Sequence, residues 1–490
     1  MGRPTTLGEL RASGYEVVPV KEEMRRNLVR MLRSGEPVFP GVIGFDETVI
    51  PQIVNAVLAR HDFLLLGLRG QAKTRLVRSL VNLLDEFIPV VAGSPVNDDP
   101  FAPLSKQARR MREEMGDDLP VEWLPRDRRY QEKLATPDVT IADLIGDVDP
   151  IKAMNRRLDF SDEEAIHYGI IPRSNRGIFA INELPDLQPR IQVGLLNIME
   201  EKDIQIRGFP VRFPLDLAIV YTANPEDYTN RGSIITPLKD RIDAQIITHY
   251  PDNLDDAMAI TRQEAWELRG APGVPVRVPE LFRELVERTA FEARRSDYVD
   301  RSSGVSARMP IAFMETVVSG AERRALANGE PDATVRVCDL YASVSAITGK
   351  VELVYKGEQE GITNVAQFLV GRAVREGFNR RFVPRYKPGR DQKTNFPRFQ
   401  EVVNWFETGN TLELSDGMTS TEHLRALLAV EGLETVTRHE MRVESDSDLA
   451  SAMEFVVEGL SQNFLITKTL VGRQTVYTDT VTHMMDQMED

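Results

Sequence analysis

A chain of 490 residues is too long for a single hydrophobic core and implies roughly two to four domains. Its 42% hydrophobic and 28% charged residues describe an ordinary globular protein, and a formal net charge of −15 argues against general nucleic-acid binding, which needs a basic face. No apolar run approaches the roughly 20 residues of a membrane span, so no membrane insertion is expected. Met1-Gly2-Arg3-Pro4 opens no leader pattern, and the lone Cys338 leaves no internal disulfide, so the expected setting is a reducing cytoplasm. The histidines are scattered and none stands at metal-ligand spacing with Cys or Asp, so no structural zinc site is expected.

Within residues 1–38, Met24, Leu28, Met31 and Leu32 recur at helical spacing, which predicts a helix docked on the domain that follows. The next segment, Leu64-Leu65-Leu66-Gly67-Leu68-Arg69-Gly70-Gln71-Ala72-Lys73-Thr74, is an apolar strand running into a glycine-bearing turn and a helix. That is the layout of a phosphate-binding loop. Gly67 and Gly70 let the backbone turn its N–H groups toward an anion, and Gln71 and Ala72 complete the turn. Lys73 is expected to point outward to the outer phosphates, and Thr74 to place its hydroxyl on magnesium. Ala72 stands where a second glycine is usual.

Residues 94–136 are polar and rich in Pro, Asp and Arg. Arg126-Asp127-Arg128-Arg129-Tyr130 is basic and aromatic, but acids such as Asp98 and Asp117 interleave, so the stretch reads as a solvated insertion. Gly177-Ile178-Phe179-Ala180-Ile181-Asn182-Glu183 reads as a buried parallel strand with two polar residues at its ligand-facing tip. Glu183 is the candidate general base, and Asn182 occupies the place where nucleoside triphosphatases usually carry a magnesium-binding aspartate. Residues 192–200 have helical spacing and 203–213 alternate as a β-hairpin. A third apolar run, 217–225, ends at Asn224, placed to position water or touch a γ-phosphate. Arg241 follows as a candidate to act on a neighbouring subunit's nucleotide, and Arg308 opens a later helix. Residues 255–350 are helical in pattern. Residues 351–397 read as helix and Pro-rich linker, and 398–490 as a mainly helical domain with a helix capped by Asp446-Ser447-Asp448 and carrying Leu449, Met453, Val456, Val457 and Leu460.

The order Lys73-Thr74, Glu183, hairpin, Asn224, Arg241, Arg308 resembles an AAA+ ATPase of the MoxR and magnesium-chelatase ATPase-subunit group. Phe39-Pro40-Gly41-Val42-Ile43-Gly44, Asp143-Leu144-Ile145-Gly146-Asp147-Val148-Asp149, Gly169-Ile170-Ile171-Pro172-Arg173-Ser174-Asn175-Arg176-Gly177 and Thr222-Ala223-Asn224-Pro225-Glu226-Asp227 resemble chelatase stretches, while Gly70-Gln71-Ala72-Lys73-Thr74 resembles the MoxR loop. The resemblance covers about residues 35–350. It implies an α/β P-loop AAA+ parallel-sheet core over 39–254, a helical lid over 255–350, and ATP with Mg2+ as cofactors. It also implies a homo-oligomeric ring, expected to be a hexamer, and a von Willebrand factor A-type protein partner. In that frame Lys73, Thr74 and the loop hold the nucleotide, with Thr74 and Asn182 on the metal. Glu183 and Asn224 handle the water, Arg241 reaches in from the next subunit, and Arg308 couples the lid. The closest specific alternative is the metal-chelatase motor itself. The rivals are a sigma-54-type transcription activator, whose G-A-F-T-G-A loop is absent, and a weakly hydrolysing nucleotide-binding scaffold, which Asn182 favours.

Overall fold

The computed structural model describes residues 2–156, 162–200, 213–225, 232–269, 272–382, 396–471 and 474–479. The chain divides into two compact units, Met1–His249 and Tyr250–Asp490. The hairpin expected at 203–213 falls almost wholly outside the described residues; only its last residue, Phe213, is described, buried edge-to-face against Tyr168.

The first unit is built on five parallel strands: β1 (Phe63–Leu66), β2 (Tyr130–Leu134), β3 (Gly177–Asn182), β4 (Leu217–Ala223) and β5 (Ala244–Ile247), in the order β2-β3-β4-β1-β5. Both faces are covered, which explains why these strands read as unbroken apolar runs. Leu64, Phe179, Ile181, Ile219 and Tyr221 enter one core, and Phe63, Leu65, Ile178, Ala180 and Val220 the other. Helix α1 (Val20–Ser34) lies in the second of these cores through Val20, Met24, Leu28 and Met31, as the spacing predicts, whereas Leu32 is exposed.

The solvated reading of residues 94–136 is corrected in three places. Tyr130–Leu134 is strand β2, paired in register with β3 from Tyr130↔Ile178 to Leu134↔Asn182. Asp98 is fully buried and accepts from the Ser105 backbone N–H (2.9 Å), the Ser105 hydroxyl (2.6 Å) and the Ser94 hydroxyl (2.8 Å). Arg129 is also buried. Its guanidinium grips both oxygens of Glu23 on α1 (2.7 and 2.6 Å), and its Nε donates to the Arg176 carbonyl (2.9 Å). Gly177 opens β3 here because a Cβ would meet the Arg129 carbonyl oxygen at 2.1 Å. The remainder carries an antiparallel ribbon of Phe87–Val91 with Val121–Pro125, in which Ile88, Val90, Val91 and Val121 are buried, and a largely exposed helix over Lys106–Met115.

The second unit packs α2 (Glu280–Arg295), α3 (Arg308–Asn328), α4 (Ile362–Phe382) and α5 (Asp446–Gln462) around Phe282, Leu285, Phe313, Val317, Phe378 and Phe455. All five apolar residues expected on α5 are buried. Its cap is Ser445, whose hydroxyl accepts from the Asp448 N–H, with Asp446 as the first helical residue. The C-terminal region is mostly helical, as expected. It also contains a three-stranded antiparallel sheet of β6 (Leu412–Ser415), β7 (Thr467–Val471) and β8 (Gln474–Thr478) in the order β6-β8-β7, which composition did not reveal.

Removing Arg129 leaves the Glu23 carboxylate buried without its cation. Arg129→Met is expected to cost about 3–5 kcal/mol in chemical denaturation, with part recovered when Glu23→Gln is added. A loss below ~1 kcal/mol would show that the pair does not hold α1 to the sheet. In the second unit, Glu287 is 2% exposed and hydrogen-bonded by Thr261, and burial raises its carboxyl to about 7 against the partial relief of Thr261 and Arg294. The folded chain therefore retains a proton that the unfolded chain releases above about pH 4.5. Stability from this group is full below that pH and falls by about 3 kcal/mol as pH rises to about 7. Glu287→Gln is expected to remove that part of the pH slope in denaturation curves at pH 5 and 8; an unchanged slope would refute it.

Candidate functional site

The parallel register sets the site. Leu66 on β1 lies level with Ala223 on β4, and Ile181 on β3 lies level with Tyr221, so Gly67, Glu183 and Asn224 emerge from one edge of the sheet. In open α/β sheets this carboxyl edge is where ligands bind.

The loop Gly67–Ala72 follows β1 directly and leads into a helix over Lys73–Ser79. Gly67 is required sterically, since a Cβ would lie 2.0 Å from the Thr248 Oγ1 and 2.2 Å from the Gln71 Oε1. These two side chains close the base of the loop, the Thr248 hydroxyl donating to the buried Gln71 Oε1 at 2.7 Å. Gly70 has φ +74°, which suits glycine. Ala72 has φ +53° and ψ +13°, so the residue in the glycine place still adopts a left-handed backbone and bears the Cβ strain of doing so.

Lys73 departs from expectation. Its side chain is 8% exposed and turned inward, where Nζ donates to the carbonyls of Gly67 and Leu68 (3.0 Å for the latter) and to the Asn224 Oδ1 at 2.6 Å. The other end of the same amide, Asn224 Nδ2, donates to the Glu183 Oε2 at 2.6 Å. One amide thus links the lysine of the loop to the candidate base. Glu183 sits at φ +57°, ψ +50°, a strained backbone of the kind that clusters at functional sites, and its N–H donates to the Thr222 Oγ1 at 3.1 Å. That hydroxyl donates in turn to the Asn182 Oδ1 at 3.3 Å.

Five residues, Lys73, Asn224, Glu183, Thr222 and Asn182, therefore form one hydrogen-bonded chain that joins the start of a helix to two strand tips. Four were legible in the sequence. Thr222 and Thr248 were missed; each is a threonine at the C-terminal end of a strand. Thr74 is exposed in the first turn of its helix. Arg241 ends a helix over Thr236–Arg241 and donates to the Pro237 carbonyl at 2.9 Å, and Arg308 begins α3 in the second unit. Among the described residues no group of three or more His, Cys, Asp or Glu is placed to hold a metal.

Ala72→Gly is expected to leave the melting temperature unchanged or raised, because relief of the left-handed strain offsets the added chain entropy. Ala72→Val is expected to lower it, since a β-branched residue tolerates positive φ worst. The reverse order in a thermal melt would place this loop in another conformation.

No family model matches the chain. Among curated proteins it is 26% identical over 201 residues to the magnesium-chelatase subunit ChlI of Nostoc sp., covering 40% of this chain and 51% of that one. It is 28% identical over 235 residues to the ChlI subunit of Chlorella vulgaris, covering 46% and 61%. The chain thus spans about half the length of the curated relatives it matches. A structure of the complex between magnesium-chelatase subunits BchI and BchD aligns over 66% of this chain and 98% of that one, at 18% identity and a TM-score of 0.33. In sequence the chain is similar to the ChlI subunit of magnesium chelatase.

Proposed function

We propose that this magnesium-chelatase-type AAA+ chain binds ATP with magnesium at the loop Gly67–Thr74 and hydrolyses it slowly. It does so in a homo-oligomeric ring, a hexamer, in the cytoplasm, to remodel a protein partner of the von Willebrand factor A type. The observation that carries the reading is the link Lys73–Asn224–Glu183, which joins a phosphate-loop lysine to an acid at the strand tip. The relatives are named as subunits, which supports action within an assembly.

The residues fit the nucleotide. Gly67 admits no side chain, the loop backbone is turned, and Lys73 presents an ammonium already held by three oxygen acceptors that phosphate oxygens resemble. Bound ATP and magnesium supply the transferable γ-phosphoryl group and the positive charge that polarises it. Thr74 and Asn182 offer the metal two neutral oxygens, so its hold on the protein is weak compared with a site bearing aspartate. Glu183 accepts the proton of the attacking water. Asn224 aims that carboxylate, and with Lys73 turned to a bound phosphate its amide oxygen would be open to accept from the water. Arg241 stabilises charge at the neighbouring copy's nucleotide, and Arg308 couples the helical unit.

Asn182 favours one second reading, a scaffold that binds ATP and scarcely turns it over. Asn182→Asp separates the two. It is expected to tighten magnesium dependence of nucleotide binding and to raise steady-state hydrolysis, the adjacent carboxylates being offset by the metal's charge. Glu183→Gln is expected to keep binding and lose hydrolysis by roughly 10²–10⁴-fold. A rate that Asn182→Asp fails to raise, together with no effect of Glu183→Gln, would end the hydrolase reading. ATP affinity retained in both would leave the scaffold.

A further inference from the structure

Glu183 leaves its strand under the direction of a neighbouring side chain. Parallel pairing of β3 with β4 runs from Gly177↔Leu217 to Ile181↔Tyr221, so Asn182 and Thr222 each stand one step beyond the last pair. The next backbone donor along β3, the Glu183 N–H, is received at 3.1 Å by a side-chain oxygen, the Thr222 Oγ1. That hydroxyl gives its own proton to the Asn182 Oδ1 at 3.3 Å, so it is engaged on both sides. Thr222 is 2% exposed.

The bond has a consequence for the carboxylate. An extended Glu183 would send its side chain to one face of the sheet. At φ +57° and ψ +50° the chain instead turns at the sheet edge, and the Glu183 Oε2 meets the Asn224 Nδ2 at 2.6 Å. An L-residue avoids this backbone, because its Cβ crowds the following carbonyl, unless its surroundings impose it. Two anchors are present. On the far side the short turn Leu184–Asp186 buries Leu184 and Pro185, and the Asp186 N–H donates to the Glu183 carbonyl at 3.0 Å. On the near side stands the Thr222 hydroxyl, carried on a β-branched side chain that is stiff about its first torsion.

We propose that Thr222 is a positioning residue for hydrolysis. Its hydroxyl fixes the Glu183 backbone in the left-handed turn that aims the carboxylate at the attacking water. The same hydroxyl orients the Asn182 oxygen. Enclosed as it is, Thr222 reaches neither nucleotide nor water and acts through its two neighbours. The inference rests on the reading of Glu183 as the hydrolytic base, and the test keeps the two apart.

The test uses the full chain with MgATP, following single-turnover phosphate release, and a fluorescent ATP analogue for affinity. Thr222→Val is expected to lower the rate roughly 10- to 100-fold while affinity stays within about twofold, since a misplaced base costs rate and not binding. Thr222→Ser keeps the hydroxyl and is expected to retain the rate to within about threefold. Adding Thr222→Val to Glu183→Gln is expected to cost nothing further, because a residue that acts through the carboxylate has nothing left to act on. Should Thr222→Val not fold by circular dichroism, Thr222→Ala makes the same comparisons. Three results overturn the proposal while leaving Glu183 as the base: a wild-type rate in Thr222→Val when Glu183→Gln has lost hydrolysis, a rate in Thr222→Ser as low as in Thr222→Val, or losses that multiply in the double variant. A Glu183→Gln chain that hydrolyses at the wild-type rate removes the base itself, and the inference with it.

Discussion

Parallel pairing in a fixed register is the constraint on which the site depends. A parallel ladder leaves every strand pointing the same way, so β1, β3 and β4 deliver their C-terminal residues to one edge, with Leu66 level with Ala223 and Ile181 with Tyr221. A slip of one residue in any of them would send its apolar side chains to the opposite core and carry Gly67, Glu183 or Asn224 out of reach of its partners. The two cores that clamp the sheet, and the buried Arg129–Glu23 pair that fastens α1 against it, therefore act on the site at a distance.

Within that frame the site is held by small polar side chains. Thr248 and Gln71 tie the loop base, Thr222 bridges Asn182 and Glu183, and Asn224 spans Lys73 and Glu183. Two residues store backbone strain, Ala72 and Glu183, both in the left-handed region. The substitution at position 72 keeps the loop geometry and bears a steric cost. The amide at position 182 carries no negative charge, and its oxygen accepts from the Thr222 hydroxyl.

The second unit is organised by different means. Its helices share one large apolar core, and its terminal sheet is anchored through Glu458, which accepts from Tyr477 at 2.6 Å, Gln462 at 2.9 Å and Lys468 at 3.0 Å. Anchoring Lys468 inward satisfies a buried carboxylate and at the same time strips the edge strand of its only charge. Internal electrostatics and surface exposure are thus set by one ion pair.

The sequence by itself determined what depends on neighbouring residues. The glycine-bearing turn after β1, the apolar strands ending at Asn182-Glu183 and at Asn224, the docking face of α1 and the apolar face of α5 all follow from local periodicity and local turn chemistry. The tertiary structure decided what depends on partners far along the chain. Polarity alone made residues 94–136 read as solvated, yet Arg129 is buried because Glu23, 106 positions away, is there to receive it. Lys73 reads as an outward ligand, yet it turns inward because Asn224, 151 positions away, offers an oxygen. The sheet of β6, β7 and β8 was hidden for the same reason, since Leu412 pairs with Tyr477, far along the chain. A charged side chain can be buried only where its counter-charge or acceptor is brought to it, and it is the three-dimensional fold that brings it.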